Sequence, residues 1–211
     1  MCPLCQEDKT YLFHSDYYKC SNCSFIFLSP DKRVDQTEEK RQYDLHENNP
    51  DDPEYRQFLS QIIDPLKAYL PKNEKLSGLD YGCGPGPTLN LMLEDEGIEM
   101  KIYDPFYYPK KENLNRLYDV ITCTEVAEHF FNPLEEFKKL KELLKTGGVL
   151  GIMTDLYSED MDFKNWHYIK DPTHVGFFSR ESLSWLAQEL ELKLEIFGKR
   201  VAILSLYKGS N

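Results

Sequence analysis

The chain has 211 residues, 41% of them hydrophobic and 13% aromatic, which supplies a packed core and excludes wholesale disorder. Its 36 acidic against 25 basic side chains give a formal charge of −11, which argues against a nucleic-acid backbone as partner. No run approaches the roughly 18 apolar residues of a membrane span. Met1-Cys2-Pro3-Leu4-Cys5 has neither region of a secretory signal, so the expectation is a soluble, cytoplasmic protein of one domain plus an appendage.

Four of the six cysteines fall before Ser24, as Cys2-x-x-Cys5 and Cys20-x-x-Cys23. Two residues between thiolates let one tight turn aim both sulfurs at a single ion, and two such knuckles complete a tetrahedral sulfur shell. Two disulfides or four free thiols are the alternative; His14 could replace a cysteine. The spacing predicts a structural Zn2+ on Cys2, Cys5, Cys20 and Cys23, because a closed shell leaves no open position. Around the knuckles, Tyr11, Phe13, Tyr17, Tyr18, Phe25, Ile26 and Phe27 alternate as in short hairpin strands. A module of residues 1–30 buries too little alone, so the metal supplies much of its folding energy.

Residues 31–53 are polar and charged and read as a linker or cover. A helical stripe follows, Phe58, Leu59, Ile62, Ile63, Leu66, Tyr69 and Leu70, with Pro65 expected to kink or divide it. Strands are predicted at 76–81, 99–103, 118–123 and 148–154. Asn132 is placed to cap a helix starting at Pro133, with Glu135 closing a capping box, and Ser179 to cap another. Residues 192–197 and 201–207 read as a hairpin. This order predicts an α/β sandwich with a mostly parallel sheet in a domain spanning 54–211. Cys83 and Cys123 end apolar runs and read as small buried side chains rather than nucleophiles.

The loop Asp80-Tyr81-Gly82-Cys83-Gly84-Pro85-Gly86 sits where a strand ends and a helix begins. It lacks the Gly-Lys-Ser/Thr of a phosphate loop, and Pro87 stands where a dinucleotide loop requires glycine. Asp80 can pair with a cationic group. Asp104 follows the second predicted strand, at the separation from Gly82 where a carboxylate reaches ribose hydroxyls, and Phe106, Tyr107 and Tyr108 can flank an adenine. A ligand with an amino acid at one end, a ribose and an adenine fits S-adenosylmethionine.

With Tyr118–His129 and Leu144-Lys145-Thr146-Gly147-Gly148, these segments follow the order of the class I S-adenosylmethionine-dependent methyltransferases, which the chain resembles over about residues 54–207. With its cysteine module and the Asn165–Val175 segment, the whole chain looks like a bacterial branch of that family. The resemblance implies a Rossmann-like, doubly wound sheet of seven strands, here shortened, ending in an antiparallel hairpin, beside a zinc-ribbon-like module. It implies cofactor contacts from Asp80, Gly82, Cys83, Gly84 and Gly86. Asp104, Pro105 and Phe106 would add the ribose side, and Thr124 and Glu125 the methionine side. The stretch from Asp104 to Asp119 is too brief for a full crossover, so the usual third strand is shortened or missing.

Methyl transfer needs alignment and exclusion of water, and a general base only where the acceptor holds its proton. His129, past the strand predicted at 118–123, is a candidate base or a histidine packing the next helix. His167, Tyr168, Asp171 and His174 cluster beside Trp166 in a segment expected over the acceptor; His174 and Tyr168 are the candidates there, against a loop held by local hydrogen bonds. Tyr43 and His46 are candidates to close over the cofactor. Glu94-Asp95-Glu96 and Glu135-Glu136 read as solvated helix faces, and Glu128 as solvated or structural. The expected activity is methylation of a small molecule. RNA methylation is the second enzyme reading, weakened by the four acids and four bases of residues 1–33. A cofactor-binding interaction protein without turnover is the third.

Overall fold

The computed structural model describes residues 1–45, 48–72 and 74–206. A four-stranded antiparallel sheet is built from β1 (Thr10–His14), β2 (Tyr17–Cys20), β3 (Ile26–Leu28) and a late two-residue strand, Gly176–Phe177, paired with β3. The segment expected to be a linker instead holds helix α1 (Gln36–Tyr43), capped by Asp35, whose carboxylate accepts from the amides of Thr37 and Glu38 at 2.9 Å. Helix α2 (Pro53–Lys67) runs through Pro65 without dividing, because that proline falls in the last turn and forfeits one hydrogen bond just before the helix ends. Its buried face, Leu59, Ile62, Ile63 and Leu66, covers one side of the main sheet.

That sheet follows as β4 (Leu76–Tyr81), α3 (Leu89–Asp95), β5 (Ile98–Tyr103), β6 (Tyr118–Thr124), α4 (Pro133–Glu142) and β7 (Leu144–Met153), then β8 (the Gly176–Phe177 strand), α5 (Arg180–Glu189), β9 (Leu192–Phe197) and β10 (Val201–Leu206). The strand order is β5-β4-β6-β7-β10-β9, parallel through β7 and antiparallel across the terminal hairpin. Six strands replace the seven of the family pattern: a 3-10 turn at Lys111–Asn115 occupies the short stretch between β5 and β6. Strand β7 starts at Leu144, earlier than the predicted 148. Ser179 caps α5 in a capping box, but with Ser182. Asn132 forms no cap; its φ of −129° and ψ of 72° take the side chain off the helix end, and it lines the cavity described below.

One apolar cluster joins the two sheets. Cys2, Leu4, Phe25 and Phe27 pack in the same core as Tyr118, Phe137 and Phe178, with Phe25 and Phe178 ring centroids 4.8 Å apart. Phe13 and Tyr17 meet Phe163 edge to face, so the cysteine-bearing module rests on the 156–178 segment.

Candidate active site

Because β5 lies on one side of β4 and β6 on the other, the chain reverses direction there and leaves a crevice at the carboxyl edge of the sheet. A cavity of about 710 Å³ opens at that place. The turn after β4 is held by the amide of Gly82 donating to the Tyr103 carbonyl at 2.7 Å. Gly82 has φ +76°, and a Cβ there would stand 2.5 Å from Val126, so glycine is required on both counts.

Asp80, Gly82, Cys83, Gly84, Asp104, Pro105, Phe106, Thr124, Glu125, His129 and His174 all line this cavity. Gly86 does not: a Cβ there would lie 1.7 Å from the Asn48 carbonyl oxygen, so it is the seat on which the 48–52 segment closes. Tyr168 does not line it either. Its hydroxyl is buried and donates to Glu128, with Glu125 at 3.3 Å and Thr154 at 3.0 Å, which makes it a positioning residue. Tyr107 lines the wall with Phe106, whereas Tyr108 bridges back to Asp104. His167 is exposed. Tyr43 lines the cavity, its ring 5.2 Å from His129 and 5.7 Å from Phe106; His46 lies outside the described residues.

Asp104 is 7% exposed and accepts from the amides of Gly84 (3.0 Å), Phe106 (2.8 Å) and Tyr107 (3.0 Å), binding the glycine loop to the following turn. Each carboxylate oxygen can accept more than one bond, so it can still take a hydroxyl. Asp80 is buried and accepts from Thr122 at 2.7 Å; burial, with the charge of Asp104, pushes its pKa up to about 6. Burial and the neighbouring Glu128 push Glu125 up to about 8, and burial lowers His129 to about 4. Burial raises the thiols of Cys83 and Cys123, which keeps both unreactive.

Sequence reasoning did not find Asn48 and Tyr55 in the wall, nor Arg200, whose guanidinium reaches Glu125 at 3.6 Å and Asp155 at 3.4 Å. No motif spacing marks them, since they arrive from remote elements. Glu136 also lines the cavity, taking the Tyr81 hydroxyl at 2.9 Å, and Glu128 is fully buried; neither is a solvated face.

Two observations test the fit to S-adenosylmethionine. Among the described lining residues stand six carboxylates, Glu39, Asp80, Asp104, Glu125, Glu136 and Asp171, and one lysine, Lys139, already paired with Glu136 at 2.7 Å. Such a wall suits a ligand bearing an ammonium and a sulfonium. Thr124 Oγ1 and Glu125 Oε1 are buried without hydrogen-bond partners, at the place where a ligand's polar atoms would satisfy them.

At the other sheet, the sulfurs of Cys2, Cys5, Cys20 and Cys23 lie within 4.8 Å of one another, with Cys2–Cys23 at 3.7 Å and Cys5–Cys20 at 3.5 Å. Metal–sulfur bonds of about 2.3 Å set tetrahedral edges near ~3.8 Å, so the donors fit one ion; a disulfide would need about 2.05 Å.

A model described as methyltransferase domain matches residues 53–195, about two thirds of the chain, and leaves the cysteine module outside. A ubiquinone biosynthesis O-methyltransferase of Shewanella pealeana is 28% identical over 79 residues, 37% of this chain and 34% of that protein. The chain therefore matches about a third of that curated relative's length. The structure of mitomycin 7-O-methyltransferase superposes with a TM-score of 0.52 at 13% identity, covering 80% of this chain and 65% of that one. An O-methyltransferase family protein from Burkholderia thailandensis gives 0.50 at 12%, covering 83% and 68%. At these identities the two structures speak for the fold. No described helix is long and apolar enough to cross a membrane. With the family model spanning the glycine loop, Asp104 and the Glu125–His129 turn, the chain belongs to the methyltransferase-domain family, the class I S-adenosylmethionine-dependent methyltransferases.

Proposed function

We propose that the chain transfers a methyl group from S-adenosylmethionine to an oxygen of a small molecule. The observation that carries this reading is the carboxylate-rich cavity at the switch point, with orphaned Thr124 and Glu125 oxygens in its wall. When bound, the donor supplies an electrophilic methyl on a sulfonium. Asp80 faces its ammonium and Asp104 its ribose, while Phe106 and Tyr107 flank the adenine. Tyr43, carried by α1, closes the mouth and excludes water. His129 and His174 would stand at the acceptor end, where a base is needed only for an acceptor that holds its proton. Tyr168 acts through Glu128 and Glu125, not on the substrate. The O-methyltransferase of Shewanella pealeana among the relatives supports oxygen as the receiving atom.

Cys2, Cys5, Cys20 and Cys23 hold a structural Zn2+ in this reading, within a module of residues 1–30; 31–53 cover the cavity and 54–211 bind the donor. Four neighbouring thiols without a disulfide fit a reducing compartment such as the cytoplasm. The test is calorimetric titration with S-adenosylhomocysteine, followed by a labelled-methyl assay over a library of hydroxylated metabolites. Micromolar binding and a methylated acceptor lost in His129→Gln and His174→Gln support the proposal; no heat with zinc-replete protein overturns it.

A further inference from the structure

His129 and His174 reach the cavity from different elements, the 3-10 turn after β6 and the segment ahead of β8, yet their ring centroids are 4.8 Å apart. Each Nδ1 faces a backbone carbonyl oxygen, that of Thr173 at 3.1 Å for His129 and that of Tyr168 at 2.7 Å for His174. A carbonyl only accepts, so each Nδ1 donates its hydrogen there, and Nε2 is the ring nitrogen left for a ligand. Glu128, fully buried between them, has a carboxylate oxygen within 4.8 Å of a nitrogen of both rings. The hydroxyls of Thr154, at 2.9 Å, and of Tyr168 orient that carboxylate.

We propose that Glu128, His129 and His174 form a binding site for a first-row divalent cation, distinct from the four-cysteine cluster, at the acceptor end of the cavity. Two imidazoles and one carboxylate suit such ions and leave coordination positions open towards the cavity. The outer hydrogen bonds are those that metal ligands require: a backbone carbonyl behind each histidine fixes the tautomer, and two hydroxyls brace the carboxylate. Bonds of about 2.1 Å set donors roughly 3–4 Å apart, a spacing that small side-chain rotations reach from the observed arrangement. Two more acids crowd the site. Asp171 Oδ2 lies 3.9 Å from His174 Nε2, and Glu125 shares the Tyr168 hydroxyl with Glu128 while its Oε1 is buried without a hydrogen bond. Glu125 Oε1 also faces the Arg200 guanidinium at 3.6 Å. An acceptor offering an oxygen would complete the shell, and that consequence alone rests on the methyl-transfer reading.

Zinc-replete full-length protein titrated with Co2+ tests the site. The expected result is one equivalent of cobalt with the weak visible bands of nitrogen and oxygen ligands, lacking the intense near-ultraviolet bands of thiolate ligation. His174→Ala and His129→Gln should each weaken that binding at least tenfold; the second substitution covers the case in which the first fails to fold. No cobalt taken up beyond the cysteine site at millimolar metal, or bands that survive both substitutions, overturns the proposal. S-adenosylhomocysteine affinity measured alongside separates the two readings, since its loss with cobalt still bound would defeat the methyl-donor assignment alone.

Discussion

Asp80, proposed above to face the donor's ammonium, is a buried acid whose ionisation costs stability. Its proton is held to about pH 6 in the folded protein against 3.8 unfolded, so the folded state loses stability as pH rises through that window, by about 3 kcal/mol once both states are ionised. A cationic donor needs the ionised form. Affinity for S-adenosylhomocysteine should therefore rise from pH 5 to pH 7 and level off above it. In Asp80→Asn we expect binding at neutral pH at least tenfold weaker and without that rise, while the ligand-free protein melts higher. Calorimetry and thermal melts read the two effects; an unchanged affinity in the variant would remove Asp80 from the donor site. At Gly82, alanine forces a φ of +76° and a clash with Val126, so Gly82→Ala should cost about 1–3 kcal/mol in denaturant titrations and weaken donor binding as well. Glu125 takes φ +52° without being glycine, held by its amide donating to the Met153 carbonyl at 2.7 Å.

The elements explain why the cysteine module matters to a site it does not line. Strand β3 pairs with β8, the Leu28 amide donates to the Val175 carbonyl at 2.9 Å, and the Val175 amide donates to the Glu128 carbonyl at 2.9 Å. One ladder thus runs from the knuckles to Glu128 and His174. If the four cysteines hold the proposed Zn2+, stripping it with a chelator should raise amide exchange in β1 to β3 and also across 173–177. Methyl transfer should fall more than donor affinity if, as proposed, Asp80 and Asp104 at the ends of β4 and β5 hold the donor. Exchange confined to β1, β2 and β3 would show that the ladder does not transmit the loss. Helix α1 is the other surprise at this scale. Its residues 36–43 are polar enough to read as linker, and none is buried, yet Asp35 caps it and Tyr43 reaches back over the cavity.

For the whole molecule, the shared core predicts a single unfolding transition. Phe25 comes from the module and packs on Phe178 of the main domain while fully enclosed, so Phe25→Ala should cost about 3–5 kcal/mol and lower the melting temperature by about 2–4 °C for each of these. The main domain should melt along with the module in the same step. Two separate transitions by circular dichroism and by tyrosine fluorescence would mean that the module is an independent unit.

Much of this arrangement was legible in the chain because it depends on local chemistry. The Cys-x-x-Cys pairs, the Asp80–Gly86 loop and the distance from Gly82 to Asp104 follow from turn geometry and one crossover length, and apolar periodicity alone placed four parallel strands close to where they lie. Tertiary packing decided the rest. Asn48 and Tyr55 reach the cavity wall, and Arg200 its Glu125, only because the 48–67 segment and the β9–β10 turn fold over the sheet edge, and nothing in their neighbours announces it. Glu128, His129 and His174 become one cluster through the Val175 amide donating to the Glu128 carbonyl and the His129 ring nitrogen to the Thr173 carbonyl, contacts between segments far apart in the chain that no local propensity encodes.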